Sequence, residues 1–195
     1  MSESLPGTAT PAVGDCLSAI APHPESDEWL FLTECPIRTG YGDGKWAGEG
    51  RDALRRIDAW AMNCFPSARH QIVAYEVKIT RADFRHEIKV PRKRLPALRW
   101  SNRFYFVAPK GIIPVAELPV ECGLLEVVWR GRQPHNPSWM SDWSYEKTVT
   151  APWRDVQPPT WGFTAALLRQ MRWQAERVAY HKAIADIKQE VAAGG

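Results

Sequence analysis

Apolar and β-branched residues run through Ile72-Val73-Ala74-Tyr75-Glu76-Val77-Lys78-Ile79 as in a buried β-strand, yet Glu76 and Lys78 interrupt the run with charge. Side chains alternate across a strand, so Glu76 and Lys78 project from one face while Tyr75, Val77 and Ile79 pack on the other. Unpaired buried charge is costly, which implies a use for these two groups. Upstream, Leu54 to Met62 predicts a second strand, with Ile57, Ala59 and Ala61 on one side and Asp58 on the opposite one. A hairpin across Asn63 to His70 would bring Asp58 beside Glu76 and Lys78.

Thr80-Arg81-Ala82-Asp83 then resembles a capping box, and a helix is expected through Phe84 and Ile88, interrupted near Pro91 and resuming before Pro96. Arg103 to Ala108 predicts the next strand, and a strand–helix–strand unit of this length implies a parallel crossover. Leu124 to Val128 predicts one further strand.

The flanking text is less regular. Residues 1–20 are expected to form a flexible tail, because Met1 to Val13 mixes Ser, Thr, Gly and Pro without periodicity. Ser26 as cap, with Asp27 and Glu28 behind it and Trp29, Leu30 and Leu32 as apolar surface, predicts a first helix from Ser26 to Glu34. Gly40 to Gly50 is glycine-rich but lacks the Gly-Lys-Ser/Thr ending of a phosphate-binding loop, so it is read as a solvated loop. From Gly131 to Pro159, Pro, Trp and Ser predict an ordered wrap. Thr160 then caps a C-terminal helix to about Val191, with Phe163, Leu167, Met171 and Val178 on one face. The expected architecture is α/β: one domain with a mixed central sheet flanked by helices, its core at 21–130 and a wrap plus C-terminal helical extension at 131–195.

Composition narrows the function classes. A chain of 195 residues, 45% hydrophobic and 24% charged, is neither disordered nor membrane-like in composition. No apolar run approaches the ~18 residues that span a bilayer, and the N-terminus lacks a basic segment followed by an apolar one. Cys16, Cys35, Cys64 and Cys122 form no Cys-x-x-Cys pair, so they are read as free thiols of a reducing, cytoplasmic compartment. The net charge of +3 is modest, but residues 81–99 carry Arg81, Arg85, Lys89, Arg92, Lys93, Arg94 and Arg99 against Asp83 and Glu87. Arg81, Arg85, Lys89 and Lys93 recur every four residues and share one stripe, the candidate contact to nucleic-acid phosphates. His70 and His86 lack a second ligand at metal-binding spacing and are read as surface residues.

The ordered set Arg56-Ile57-Asp58, Tyr75-Glu76-Val77-Lys78, Thr80-Arg81-Ala82-Asp83-Phe84, Arg103-Phe104-Tyr105-Phe106-Val107-Ala108 and Gly123-Leu124-Leu125-Glu126-Val127 resembles the PD-(D/E)XK nuclease superfamily. Within it, the likeness is to the MmcB-like DNA-repair group and related small proteins of actinobacteria and their phages. It covers residues 26–130. The superfamily's Pro-Asp is here Ile57-Asp58, which keeps the carboxylate.

The resemblance implies a restriction-endonuclease-like domain and a Mg²⁺- or Mn²⁺-dependent deoxyribonuclease, with Asp58, Glu76 and Lys78 catalytic. Asp58, Glu76 and the Val77 carbonyl would hold the metal, completed by a glutamate of the first helix, Glu34 or alternatively Glu28. The chemistry asks for such groups. Phosphodiester hydrolysis needs an activated water, a stabilised anionic transition state and help for the leaving alkoxide. Carboxylate oxygens suit Mg²⁺, and Lys78 beside the attacking water would orient it and stabilise the anion, because two nearby carboxylates oppose its deprotonation.

Other readings stand beside this one. Asp58, Glu76 and Lys78 would also serve as a salt-bridge network; the fold would also suit a catalytically inactive nucleic-acid-binding accessory protein; and the Trp/Pro-rich segment with the C-terminal helix would suit a homodimer or a protein partner. The ten tryptophans are read mainly as packing, with Trp100, Trp139 and Trp143 the more open cases.

Overall fold

The computed structural model describes residues 10–23, 26–36, 56–131, 141–156 and 158–193. The glycine-rich loop expected between Gly40 and Gly50 lies outside the described residues, as do residues 1–9 of the expected tail and residues 132–140 of the expected wrap, Trp139 among them. The chain divides into two compact units, one of residues 1–34 and 57–158 and the other of residues 35–56 and 159–195.

The fold is α/β. A six-stranded mixed sheet runs β1 (Trp29–Pro36), β2 (Arg56–Asn63), β3 (Ile72–Val77), β4 (Arg103–Pro109), β5 (Gly123–Trp129) and β6 (Trp143–Val149), with spatial order equal to chain order. Strands β2 and β3 form the expected antiparallel hairpin, with Ala59 opposite Tyr75. Strands β3 and β4 are parallel and joined by the expected crossover, β5 lies parallel to β4, and β6 returns antiparallel to β5. Six consecutive residues of β4, Phe104 to Pro109, are buried, as a central parallel strand covered on both faces requires.

One face packs on α1 (Val13–Ile20), whose Cys16 and Ile20 join Ala59, Val73, Val77, Tyr105, Val107, Leu125 and Val127 in a single cluster. On the opposite face Phe84 of α2 (Arg81–Ile88) meets Phe106 edge-on at 5.3 Å, and Phe106 meets Phe104 at the same separation. Thr80 caps α2 as expected, its Oγ1 accepting the Asp83 N–H at 3.1 Å. After a 3₁₀ turn at Pro91–Lys93, α3 (Leu95–Arg99) leads into β4.

Three expectations are corrected. Val13–Ile20 is a helix rather than part of a tail, since Val13, Cys16, Leu17 and Ile20 recur at i, i+3, i+4 and i+7. Trp29–Pro36 is a strand, not a helix. The Ser26 signal is real, but its Oγ accepts the Glu28 N–H at 3.3 Å in a local turn, and the chain then extends. Within the expected wrap, Trp143–Val149 adds an edge strand whose exposed Glu146 and Lys147 erased the apolar alternation, so the sheet continues past residue 130.

Gly123 marks a close approach. A Cβ there would overlap the Tyr105 ring and lie 2.5 Å from the Ala151 backbone nitrogen. Backbone cannot yield as a flexible side chain does, so Gly123→Ala should cost about 1–3 kcal/mol, read as a lower midpoint in urea unfolding.

In the second unit, α4 (Trp161–Ala193) begins where expected, with Thr160 Oγ1 accepting the Phe163 N–H at 3.2 Å. Phe163 and Leu167 of the expected apolar face are buried and Met171 is half-buried, but Val178 is 64% exposed. Among the described residues, no helix is long and apolar enough to cross a membrane.

Candidate functional site

Continuing the register from Ala59 and Tyr75 places Asp58 directly across from Glu76, on the face covered by α2. The Asp58 carboxylate accepts the Val77 N–H at 2.7 Å, which fixes it against the end of β3. Lys78 follows that strand, its backbone N–H donating to the Val107 carbonyl at 2.9 Å. Its ammonium lies 2.9 Å from Glu76 Oε1, 3.6 Å from Glu87 Oε2 and 3.8 Å from Asp83 Oδ1. Asp58, Glu76 and Lys78 therefore converge as the alternation of the two strands requires. Glu87 and Asp83 were not anticipated as partners; their sequence signal is an acidic pair four apart on α2, masked by the basic residues between them.

Electrostatics follow from this crowding. Burial raises the Glu76 carboxyl to about 7, Asp58 and Glu87 add to the rise, and Lys78 opposes it. Asp58 is raised too, by burial first and by Asp83 and Glu34, against the Val77 N–H and Lys78. Burial pulls the Lys78 ammonium down, but Glu76, Glu87 and Asp83 outweigh it and the net shift is upward. Lys78 thus stays protonated, which suits a charge that orients and stabilises and does not suit a proton acceptor.

The two candidate glutamates separate. Glu34 lies on β1, not on a helix, in the left-handed backbone region at φ 49°, and its charge reaches Asp58. Strain of this kind gathers where a side chain must be aimed. Glu28 instead accepts from Asn63 Nδ2 at 3.0 Å and Trp29 Nε1 at 3.1 Å, at the far end of β2 and about 17 Å along it from Asp58.

Among the described residues, no group of three or more His, Cys, Asp or Glu side chains is arranged to hold a metal ion. The side-chain donors are the pair Asp58 and Glu76, with the Val77 carbonyl between Glu76 and Lys78 in the chain. That set fits a hard, strongly hydrated cation, which binds through one or two carboxylates and keeps several waters. The upward shift of both carboxyls comes first from burial, to which Asp83 and Glu34 add at Asp58 and Asp58 and Glu87 add at Glu76.

The basic stripe is largely neutralised. Arg81 Nη2 is hydrogen-bonded to Glu117 Oε1, Arg85 Nε lies 3.6 Å from Glu117 Oε2, and Lys93 Nζ lies 3.9 Å from Glu87 Oε2. Lys89 and Arg92 are exposed and form no ion pair among the described residues. His70 and His86 are exposed, as expected.

Comparison with known proteins adds the fold. No protein-family model matches the chain, and no curated protein matches its sequence. A solved structure that it resembles is a protein of unknown function from Silicibacter pomeroyi, at 18% identity and a TM-score of 0.53, covering 85% of this chain and 87% of the other.

Proposed function

We propose that the chain is a metal-dependent deoxyribonuclease of PD-(D/E)XK type, acting in DNA repair, recombination or phage DNA processing. The observation that carries this reading is the pairing of Asp58 and Glu76 across adjacent strands, both raised chiefly by burial, with Lys78 held as an ammonium beside them. Asp58, Glu76 and the Val77 carbonyl would hold Mg²⁺ or Mn²⁺, with Glu34 approaching from β1. The bound metal supplies a water of lowered pKa and a Lewis acid for the phosphoryl oxygen.

The chain's own residues do the rest. Val77 N–H fixes the Asp58 carboxylate, so its orientation costs nothing at the moment of reaction. Asp83 and Glu87 hold Lys78 in place, and its N–H groups orient the attacking water and offset charge growing on the phosphate. Between residues 81 and 99, exposed Lys89 and Arg92 form no ion pair among the described residues, so this segment should add only about 2 or less to the salt slope of DNA affinity. All four cysteines are free thiols, which supports a reducing, cytoplasmic setting.

The test is cleavage of end-labelled duplex, single-stranded, flap and branched DNAs in Mg²⁺, Mn²⁺ or EDTA. Cutting with metal and none in EDTA is expected. The rival, a DNA-binding accessory protein without turnover, draws on the three carboxylates around Lys78, which would also make a stable ionic network. Metal-independent DNA binding with no cutting of any substrate would select it.

A further inference from the structure

A cavity of about 310 Å³ opens on the opposite face of the sheet from Asp58 and Glu76. Trp29, Tyr75, Tyr105 and Tyr145 give it aromatic walls, and Arg103 and Lys147 give it two positive charges. The strand registers explain why these residues meet. Arg103 is opposite Val73, Tyr105 opposite Tyr75, Lys147 opposite Leu125 and Tyr145 opposite Val127, so all share the face that bears α1. The Tyr75 and Tyr105 rings lie side by side, 6.2 Å apart and 22° from parallel.

Among the described residues, neither charge is spent on a carboxylate. Glu146 projects to the other face of β6 and is bound to Lys110 at 2.7 Å, which leaves Lys147 with no ion pair among the described residues. Arg103 has no carboxylate partner among them either. It donates through Nη1 to the Ala151 carbonyl and lies 5.7 Å from the centre of the Trp153 ring. That anchoring holds a guanidinium in place while most of its five N–H donors stay available. Among the described residues, no carboxylate lines the cavity. Gln71 and Thr150 add an amide and a hydroxyl at its wall.

Aromatic walls stack on a flat ring, paired unneutralised cations take an anion, and an amide reads donors and acceptors on a ring edge. The volume is at the small end of ligand pockets, which run from about 300 Å³ upward, and so admits one such unit rather than a chain of them. We propose that this cavity binds a single nucleotide unit, its base against the tyrosines and Trp29 and its phosphate at Arg103 and Lys147. A free mononucleotide and one nucleotide of a single strand share this chemistry.

The test is calorimetric titration of the full chain in EDTA, where no metal-dependent step occurs. The probes are deoxyadenosine monophosphate, deoxyadenosine, inorganic phosphate and a deoxyadenylate hexamer. Saturable binding of the monophosphate is expected, with deoxyadenosine and phosphate each about tenfold weaker or worse. Lys147 is exposed, so Lys147→Glu keeps the fold and should weaken the monophosphate by about tenfold or more. Glu76→Gln should leave it unchanged, which separates this site from the nuclease reading. A hexamer that displaces the monophosphate assigns the pocket to a strand, and a hexamer that does not assigns it to a free nucleotide. Absence of saturable binding by both monophosphate and hexamer, or equal affinity in Lys147→Glu, would overturn the proposal.

Discussion

Glu76→Gln should lower metal-dependent DNA cleavage by about 10²-fold or more while removing a pH-dependent weakness of the metal-free fold. The two effects share one cause. Burial, Asp58 and Glu87 raise the Glu76 carboxyl from 4.5 to about 7. A carboxyl with a folded value above its unfolded one favours folding while protonated. Its contribution is complete below about 4.5 and is lost as pH rises through about 7. The linked free energy is on the order of 3 kcal/mol at most. Urea unfolding in EDTA between pH 5 and 8 should therefore show wild-type stability falling with pH, and glutamine, a neutral isostere, should flatten the fall. A wild-type stability that is level across this range would remove the electrostatic premise, whatever the cleavage result.

The part of this site legible in the sequence was the part governed by strand periodicity. Glu76 and Lys78 share a face because they are two residues apart, and the hairpin put Asp58 opposite because its length suited an antiparallel return. Thr80 announced α2 through a local hydrogen bond, and the β3–α2–β4 spacing allowed only a parallel partner. What escaped depended on distant partners or on competing local signals. Leu30 to Leu32 is an apolar run that reads equally as a helix segment or a two-sided buried strand, and Ser26 tipped the reading the wrong way. The tail-like composition of the first residues hid a helix of only eight residues whose apolar stripe packs on the sheet. The stripe Arg81, Arg85 and Lys93 looked like a free basic face, but Glu117 and Glu87 neutralise much of it, and Glu117 belongs to a 3₁₀ turn 36 residues from Arg81. Long-range charge pairing has no period to read.

Lys78→Ala should destabilise the protein by about 3–5 kcal/mol, the cost of stripping the counterion from buried carboxylates. Lys78 is 6% exposed and serves Glu76, Glu87 and Asp83 together, so its removal leaves Glu76 and Glu87 facing each other with only Lys93, 3.9 Å from Glu87, as a weak substitute. The loss should be larger at pH 8 than at pH 5, because Glu76 discharges on protonation near 7. Combining Lys78→Ala with Glu76→Gln should cost less than the sum of the two changes, since the second removes the charge that the first exposes. On the proposed nuclease reading, Lys78→Arg separates the two roles open to Lys78. Arginine keeps a positive donor but does not release its proton in proteins, so it should retain measurable cutting above Lys78→Ala if the ammonium orients water and steadies the phosphate. Cutting by Lys78→Arg no greater than by Lys78→Ala, in protein shown by its unfolding midpoint to be folded, would instead point to Lys78 as the proton acceptor. That outcome would demand a pKa well below the raised one its three carboxylates impose.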